Sequence, residues 1–147
     1  MTILQGKKGL IMGVANSRSI AWGIAQEAHK HGAELAFTYQ GEALQKRVEP
    51  LAQSVGSDTV LECDVTNQES IDSVFSTLEA KWGKLDFIVH AIAFSDKDEL
   101  RGRFVDTTPA NFANTMNISA YSLVAVAKAG EELLKKSDSP SIISLSD

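Results

Sequence analysis

Short apolar runs alternate along the whole chain with longer segments that have helical periodicity. Continuous runs of this kind are typical of strands buried on both faces of a parallel sheet. Five of them are expected to be strands: residues 10–12, 35–39, 60–61, 87–89 and 142–145. Because parallel strands need crossover connections, strands separated by helices predict an α/β fold with a doubly wound parallel sheet.

The first two helices are predicted over residues 19–31 and about 42–55. In the first helix, Ile20, Ile24 and Ala28 have the spacing of one helical face. Pro50 is expected to end or kink the second helix, because proline lacks the backbone N–H that a helix interior uses.

Two further helices are marked by their start signals. Thr66 and Glu69 have the spacing of a capping box, and Thr108 followed by Pro109 opens the last helix. A polar loop over residues 94–107 precedes that last helix. Two apolar stripes are expected to face the core: Ile71, Val74, Phe75, Leu78 and Trp82 in the third helix, and Ala113, Met116, Ala120, Val124 and Ala127 in the fourth.

The composition is that of one soluble globular domain, which we assign to residues 1–147. A net charge of −5 gives no reason to expect a nucleic-acid partner. No apolar run approaches the roughly 20 residues that span a membrane, and no signal-peptide pattern is present, so we expect a cytoplasmic protein. Cys63 is the only cysteine, which excludes a disulfide framework, and we predict no metal site.

Small residues follow the first strand, from Gly13 to Gly23, and lead into a helix. A helix N-terminus presents unpaired N–H groups and partial positive charge, which suit a phosphate or pyrophosphate. Gly13 lets the backbone approach a ligand, and Ser19 can add a hydroxyl donor. The pattern is not a literal GxGxxG, so it is equally compatible with a turn that needs glycine for its backbone shape.

The residues that follow the other strands narrow this choice. They are Tyr39-Gln40-Gly41, Cys63-Asp64-Val65-Thr66 and His90-Ala91-Ile92-Ala93-Phe94. In this order and spacing, they resemble the bacterial enoyl-(acyl-carrier-protein) reductase branch of the short-chain dehydrogenase/reductase superfamily, as do residues 33–40 and 117–122. The resemblance covers nearly the whole chain. It implies a Rossmann fold, NAD as cofactor, and hydride transfer from NADH to a trans-2-enoyl thioester carried on acyl carrier protein in fatty-acid elongation.

The resemblance also assigns three parts of the cofactor site. It places Gly13, Ser19 and Ile20 around the pyrophosphate. It places Gln40 near the adenosine ribose, where dinucleotide-binding proteins often carry an acid. Gln40 is neutral and has no arginine or lysine beside it, so we expect NADH rather than NADPH. An ordinary solvated loop residue is the alternative interpretation of Gln40.

The remaining binding residues follow the third and fourth strands. Asp64 and Val65 resemble the family's adenine contacts, with helix capping as the alternative role. Ile92 resembles the residue whose backbone lies near the inner ribose and nicotinamide. Ser95 resembles a position at the substrate mouth, with an ordinary loop serine as the alternative. His90 ends a buried strand, and we expect a structural histidine there.

The catalytic tyrosine and lysine of the family lie beyond the fifth strand, so the resemblance assigns no catalytic residue to this chain. Relative to the family, we expect an incomplete Rossmann domain, truncated after the fifth strand and inactive by itself. The intact protein is expected to be a homo-oligomer. The alternative function is a non-catalytic dinucleotide-binding or flavodoxin-like module.

Overall fold

Five parallel strands form the centre of the molecule, whose computed structural model describes residues 2–146. They are β1 (Lys8–Met12), β2 (Glu34–Tyr39), β3 (Val60–Glu62), β4 (Phe87–His90) and β5 (Ser141–Ser144). Their order across the sheet is β3-β2-β1-β4-β5. This is the Rossmann order, whereas a flavodoxin-like sheet runs 2-1-3-4-5. The predicted doubly wound Rossmann fold is confirmed, and the flavodoxin-like outline is wrong.

The first three helices lie where the periodicity predicts them. The predicted fourth helix is divided into two helices. The helices are α1 (Ile20–Lys30), α2 (Glu42–Ser54), α3 (Gln68–Trp82), α4 (Pro109–Met116) and α5 (Ser122–Leu134). A π-helical turn, Asn117–Tyr121, joins α4 to α5, and a 3₁₀ turn, Phe104–Asp106, lies in the loop before α4. Pro50 lies inside α2 and does not end it. Among residues 2–146, no helix has the length and apolar character needed to cross a membrane.

Helices cover the two faces of the sheet with separate apolar cores. Successive side chains of a strand point to opposite faces, so the buried residues of β1 divide between the cores. Ile11 packs with the buried residues of α1 and α2, while Leu10 and Met12 pack with those of α3 and α5. The strands β1, β2 and β4 are therefore buried on both faces, as their continuous apolar runs predict. The edge strand β5 is different, because all four of its residues are exposed.

The buried face of α1 differs from the predicted one. Ala21, Trp22, Ala25 and Ala28 are buried, whereas Ile20 is 70% exposed. The large Trp22 ring fills the space over β2, where its centroid lies 6.1 Å from that of Phe37. The small alanines let the helix lie close to the sheet, and this turns Ile20 away from the core.

The predicted core stripe of the last helix is also wrong. Met116 and Val124 are exposed, and the buried face of α5 consists of Ser122, Ala125, Val126, Gly130, Leu133 and Leu134. The π-helical turn adds a residue to one turn of the helix, so a stripe counted at the ordinary period runs off the packed face. The apolar stripe of α3 is confirmed, with Ile71, Val74, Phe75 and Leu78 buried.

The start of α3 uses a different cap from the one predicted. Asn67 is the N-cap, and its side-chain oxygen accepts hydrogen bonds from the amides of Glu69 and Ser70. Thr66 lies one residue outside the helix and bonds the Asp64 carboxylate instead. The Thr66–Glu69 capping box is therefore wrong, although a side-chain cap is present one residue later.

Asp86 ties together the amino ends of β1 and β4 although it is only 2% exposed. Its carboxylate accepts hydrogen bonds from the Lys8 amide at 2.7 Å and the Ser137 hydroxyl at 2.6 Å, and the Lys84 ammonium lies at 3.1 Å. Burial by itself raises the pKa of Asp86, but these donors outweigh it, so the pKa lies below its usual value. The buried charge is thus matched by donors from three segments.

We expect Asp86→Asn to lower the free energy of unfolding at pH 7 by about 2–3 kcal/mol, because bonds to a buried charged group are lost. Because the pKa of Asp86 is lower in the folded state, its ionised carboxylate stabilises the fold at pH values above the pKa of the unfolded chain, near 4. That contribution is lost as the pH falls through the pKa of the folded state. The variant should therefore show a weaker loss of stability at acid pH in urea titrations. Asp58→Asn removes an exposed carboxylate paired with Lys81 and is the control; equal losses in both variants would contradict this role.

Candidate functional site

A cavity of about 390 Å³ opens at the carboxyl edge of the sheet. It is lined by residues that follow β1, β2, β3 and β4 and by Ile118 of the π-helical turn. The chain leaves β1 towards β2 on one side, whereas β4 and β5 lie on the other side. In open α/β sheets, the crevice at this reversal of strand order is where ligands bind.

The structure brings together four of the predicted cofactor residues in this cavity: Gly13, Gln40, Val65 and Ile92. Ser19, Ile20 and Asp64 lie close to them in sequence but outside its lining. Contact with a cofactor stays a prediction for all seven residues. What the structure adds is that loops from four separate strands converge on one space.

Ser19 organises the turn after β1. Its hydroxyl oxygen accepts hydrogen bonds from the amides of Ala15 at 2.9 Å and Asn16 at 3.1 Å. An oxygen that accepts two bonds still has its own proton to donate. Ser19 can therefore shape the turn and donate to a phosphate at the same time. Ile20 begins α1 directly behind it, where the helix N-terminus provides partial positive charge.

Gly13 is required by the protein itself as well as by a ligand. Its φ of +103° is a conformation that L side chains rarely adopt, and a Cβ built there would lie 1.9 Å from the carbonyl oxygen of Ala91. The amide of Ala91 donates to the carbonyl of Met12 at 3.0 Å, which holds the two chains together at this point. The sequence predicts that Gly13 lets a ligand approach the backbone. In the structure, Gly13 lets the end of β1 approach the end of β4.

Asp64 uses much of its hydrogen-bonding capacity within its own loop. Its amide donates to the Ser70 hydroxyl at 2.9 Å, and its Oδ1 accepts from the Thr66 amide at 2.9 Å and the Thr66 hydroxyl at 2.6 Å. These bonds fix the loop that carries Val65 into the cavity lining. Helix capping, the alternative role for Asp64, is therefore wrong, because Asn67 caps α3 and Asp64 holds the loop before it.

Gln40 lies at a rim that carries negative charge. Burial, followed by the carboxylates of Glu62 and Glu49, raises the pKa of the neighbouring Tyr39. Glu42 adds a further carboxylate in the first turn of α2. Carboxylates thus lie close to Tyr39, the residue before Gln40, and at the start of α2.

Ser95 lies in a different space from the other predicted site residues. It contacts the Asn111 amide nitrogen and the Thr115 hydroxyl, each at 3.2 Å, in a cavity of about 260 Å³ between the 94–107 loop and α4. These bonds anchor the loop to α4. A substrate contact at Ser95 stays a prediction.

Several lining residues were not predicted from the sequence. Leu44 comes from the first turns of α2 and Ile118 from the π-helical turn. Cys63 is buried and also lines the cavity. Burial, and then the Asp64 charge, raises the pKa of its thiol to about 11, so Cys63 is a neutral, apolar part of the wall at pH 7.

Comparison with known proteins points to one family. A family model described as Enoyl-(Acyl carrier protein) reductase matches residues 13–147. The protein named enoyl-(acyl-carrier-protein) reductase (NADH) 1 of Rhizobium meliloti (strain 1021) is 59% identical over 143 residues, which cover 97% of this chain and 52% of that protein. A Rickettsia bellii (strain RML369-C) reductase of the same description is 55% identical, over 98% of this chain and 54% of its own length.

Solved structures agree with these sequence relatives. An enoyl-(acyl-carrier-protein) reductase from Anaplasma phagocytophilum, in complex with NAD, has a TM-score of 0.92 at 50% identity and is covered to 54%. The NADH enzyme from Aquifex aeolicus VF5 has a TM-score of 0.94 at 46% identity and is covered to 56%. Each match covers 97% of this chain. The chain thus spans about half the length of the relatives that it matches.

Two glycines of the turn and helix after β1 should respond differently to an added methyl group. We expect Gly13→Ala to lower the free energy of unfolding by about 3 kcal/mol or more, because its Cβ would overlap a backbone carbonyl. Gly23 has open space around its Cα in the first half of α1, so Gly23→Ala should stabilise by about 0.5–1 kcal/mol. Urea unfolding of both variants is the measurement, and a Gly13→Ala variant of unchanged stability would contradict the close approach.

Proposed function

Because the chain belongs to the enoyl-(acyl-carrier-protein) reductase family, we propose that it is the cofactor-binding part of an NADH-dependent reductase. The observation that carries this proposal is the cavity at the reversal of strand order, which collects the loops that follow four strands. Its relatives in Rhizobium meliloti and Rickettsia bellii are named as NADH enzymes, and the Anaplasma phagocytophilum structure is described in complex with NAD.

The residues present fit an NAD molecule. The turn from Gly13 to Ser19 and the N-terminus of α1 offer N–H and O–H donors for the pyrophosphate. Gln40 offers an amide for a ribose hydroxyl at a rim whose carboxylates disfavour an added phosphate. Val65 and Leu44 provide apolar surface for the adenine, and Ile92 lies at the end where the nicotinamide belongs by family resemblance.

When bound, NADH supplies the hydride for reduction of the double bond of a trans-2-enoyl thioester. The residues of this chain hold and orient the dinucleotide. The Cys63 thiol is neutral, and the neighbouring walls from Val14, Ala91 and Phe94 are apolar, so this part of the cavity favours an uncharged ring over water. The family's tyrosine and lysine, which polarise the substrate carbonyl and hold the cofactor ribose, belong to a later part of the family's sequence.

The same proposal includes acyl carrier protein as the substrate's carrier, a homo-oligomeric assembly and a cytoplasmic location. Exposed apolar residues along α4, the π-helical turn and α5 support assembly: Phe112, Met116, Tyr121 and Val124. Grouped apolar surface of this kind is typical of protein interfaces. The reduced, buried thiol of Cys63 is in keeping with the cytoplasm.

Isothermal titration calorimetry of the chain with NADH tests the binding part of the proposal. Binding of one NADH per chain would support it. Absence of binding by a folded chain would refute it, because the contacts proposed for the adenine, its ribose and the pyrophosphate all lie within the described residues.

Gln40→Arg tests the choice between the two nicotinamide cofactors. An arginine at the ribose rim can form a charge-assisted bond with the extra phosphate of NADPH. We expect the NADPH-to-NADH affinity ratio to rise about tenfold, which is the equivalent of one such bond. Gln53→Arg adds the same charge at the other end of α2 and should leave the ratio unchanged. A wild-type chain that already prefers NADPH would contradict the proposed role of Gln40.

Reductase activity tests whether the catalytic groups lie outside this chain, as the family resemblance implies. A polypeptide of these 147 residues should oxidise NADH at background rate in the presence of a crotonyl thioester, because the resemblance places the catalytic tyrosine and lysine outside it. Loss of even one preorganised donor from such a site costs about 100- to 1000-fold in rate. The Aquifex aeolicus enzyme is the positive control. Robust turnover by this polypeptide, abolished by Tyr121→Phe, would show that the assignment of the catalytic groups is wrong.

A further inference from the structure

His90 connects three elements beneath the cavity. It is the last residue of β4, is 1% exposed, and lies two residues before Ile92 of the cavity lining. Its Nε2 lies 2.8 Å from the hydroxyl of Ser122, the first residue of α5. Its Nδ1 lies 3.4 Å from the hydroxyl of Ser144, the last residue of β5. One imidazole therefore joins the ends of two strands to the start of a helix.

Counting protons assigns the tautomer of His90. The Ser122 hydroxyl oxygen lies 2.6 Å from the carbonyl oxygen of Ile118, four residues earlier. Two oxygens at this distance need a proton between them, and only the hydroxyl has one to give. Ser122 must then accept from His90, so the proton of a neutral imidazole is on Nε2. Nδ1 is left as the acceptor for the Ser144 hydroxyl.

The surroundings of His90 keep its ring neutral. Burial lowers the pKa of His90 below its usual value, so the imidazole carries a single proton at pH 7. Both ring nitrogens then have partners of matching polarity, as a buried polar side chain requires. The other neutral tautomer, with its proton on Nδ1, would place two acceptors against each other, Nε2 and the Ser122 oxygen, and lose this match.

A second serine clamps the chain that leaves β4. The Ser119 hydroxyl lies 3.0 Å from the amide nitrogen of Phe94 and 3.2 Å from the Phe94 carbonyl oxygen. Ser119 lies in the π-helical turn, and Ser122 directly follows that turn at the start of α5. The segment from His90 to Phe94 is thus held at both ends, and Ile92 lies at its middle.

We propose that His90 is a positioning residue of the cofactor site, whose Nε2–H imidazole holds the π-helical turn and the end of β5 against the end of β4. It thereby fixes Ile92 and Ile118, two walls of the cavity, relative to each other. The effect on NADH rests on the proposed function, while the proton assignment and the position of Ile92 do not.

The first test is the tautomer itself. Long-range proton–nitrogen NMR correlations of the chain at pH 7 should show His90 as the Nε2–H tautomer. His29→Gln and His31→Gln, both on or next to the end of α1, identify the other two histidine signals. An Nδ1–H tautomer or a doubly protonated ring at His90 would overturn the proposal.

The second test compares two serines that each donate a short hydrogen bond. Ser122→Ala removes the partner of His90 Nε2, and Ser137→Ala removes a bond to Asp86 at the opposite edge of the sheet. We expect Ser122→Ala to weaken NADH binding about tenfold, the equivalent of one lost buried hydrogen bond, at a temperature where both variants are folded. Ser137→Ala should change the affinity less than twofold. Equal affinities in the two variants would overturn the positioning role.

Backbone amide signals separate failure of this inference from failure of the proposed function. Ser122→Ala should shift the NMR signals of the Ile92 and Ala93 amides, although these residues are distant from Ser122 in the sequence. Ser137→Ala should leave the same signals unchanged. If the wild-type chain binds no NADH but these shifts occur, the proposed function fails and the positioning of Ile92 holds. If the wild-type chain binds NADH and the shifts are absent, the positioning role of His90 fails.

Discussion

The close approach of Gly13 to Ala91 is the constraint on which the site depends. Strands β1 and β4 run side by side to Met12 and His90, and the amide of Ala91 continues their pairing by one bond. At the next residue, the chain after β1 turns away at Gly13 with a positive φ, and a Cβ there would overlap the Ala91 carbonyl. Because the strand order reverses at this pair, their separation opens the cavity. Because Gly13 has no side chain, β1 and β4 can stay paired up to the point where the cavity begins.

The two edges of the sheet are held together by different chemistry. At the amino edge, the single carboxylate of Asp86 accepts hydrogen bonds from the Lys8 amide and from Ser137, which ties the strands to the segment after α5. At the carboxyl edge, neutral groups make the connections: His90 with Ser122, and Ser119 with Phe94. Neutral ties suit an edge where a pyrophosphate is proposed to bind, because a buried carboxylate there would repel it.

Much of the fold could be predicted from local patterns, because each strand is a short apolar run and the segments between the strands have helical periodicity. The strand order was decided by packing over long range, which periodicity does not encode. Two of the predictions that failed share a cause. Trp22 displaced Ile20 from the core, and the π-helical turn shifted the packed face of the last helix, both through tertiary contacts.

The site residues also divide into those that the sequence predicts and those that tertiary packing brings in. Gly13, Gln40, Val65 and Ile92 come together because they directly follow strands whose carboxyl ends share one edge, and this can be deduced from chain position. Ile118 enters the cavity through the π-helical turn, for which the sequence gives no periodic signal. Ser95 lies in a separate space because its hydrogen bonds to Asn111 and Thr115 hold the loop against α4.

Amide NMR titration of the labelled chain with NADH tests the central claim, that the cofactor binds where the strand order reverses. The account predicts saturable shifts at the carboxyl edge, in Ala15, Tyr39, Val65 and Ile92. Amides at the amino edge, such as those of Leu85 and Ser141, should stay unchanged. Shifts confined to the amino edge, or to the apolar groove between α1 and β5 that Ile24, Val89 and Ile143 line, would contradict the account.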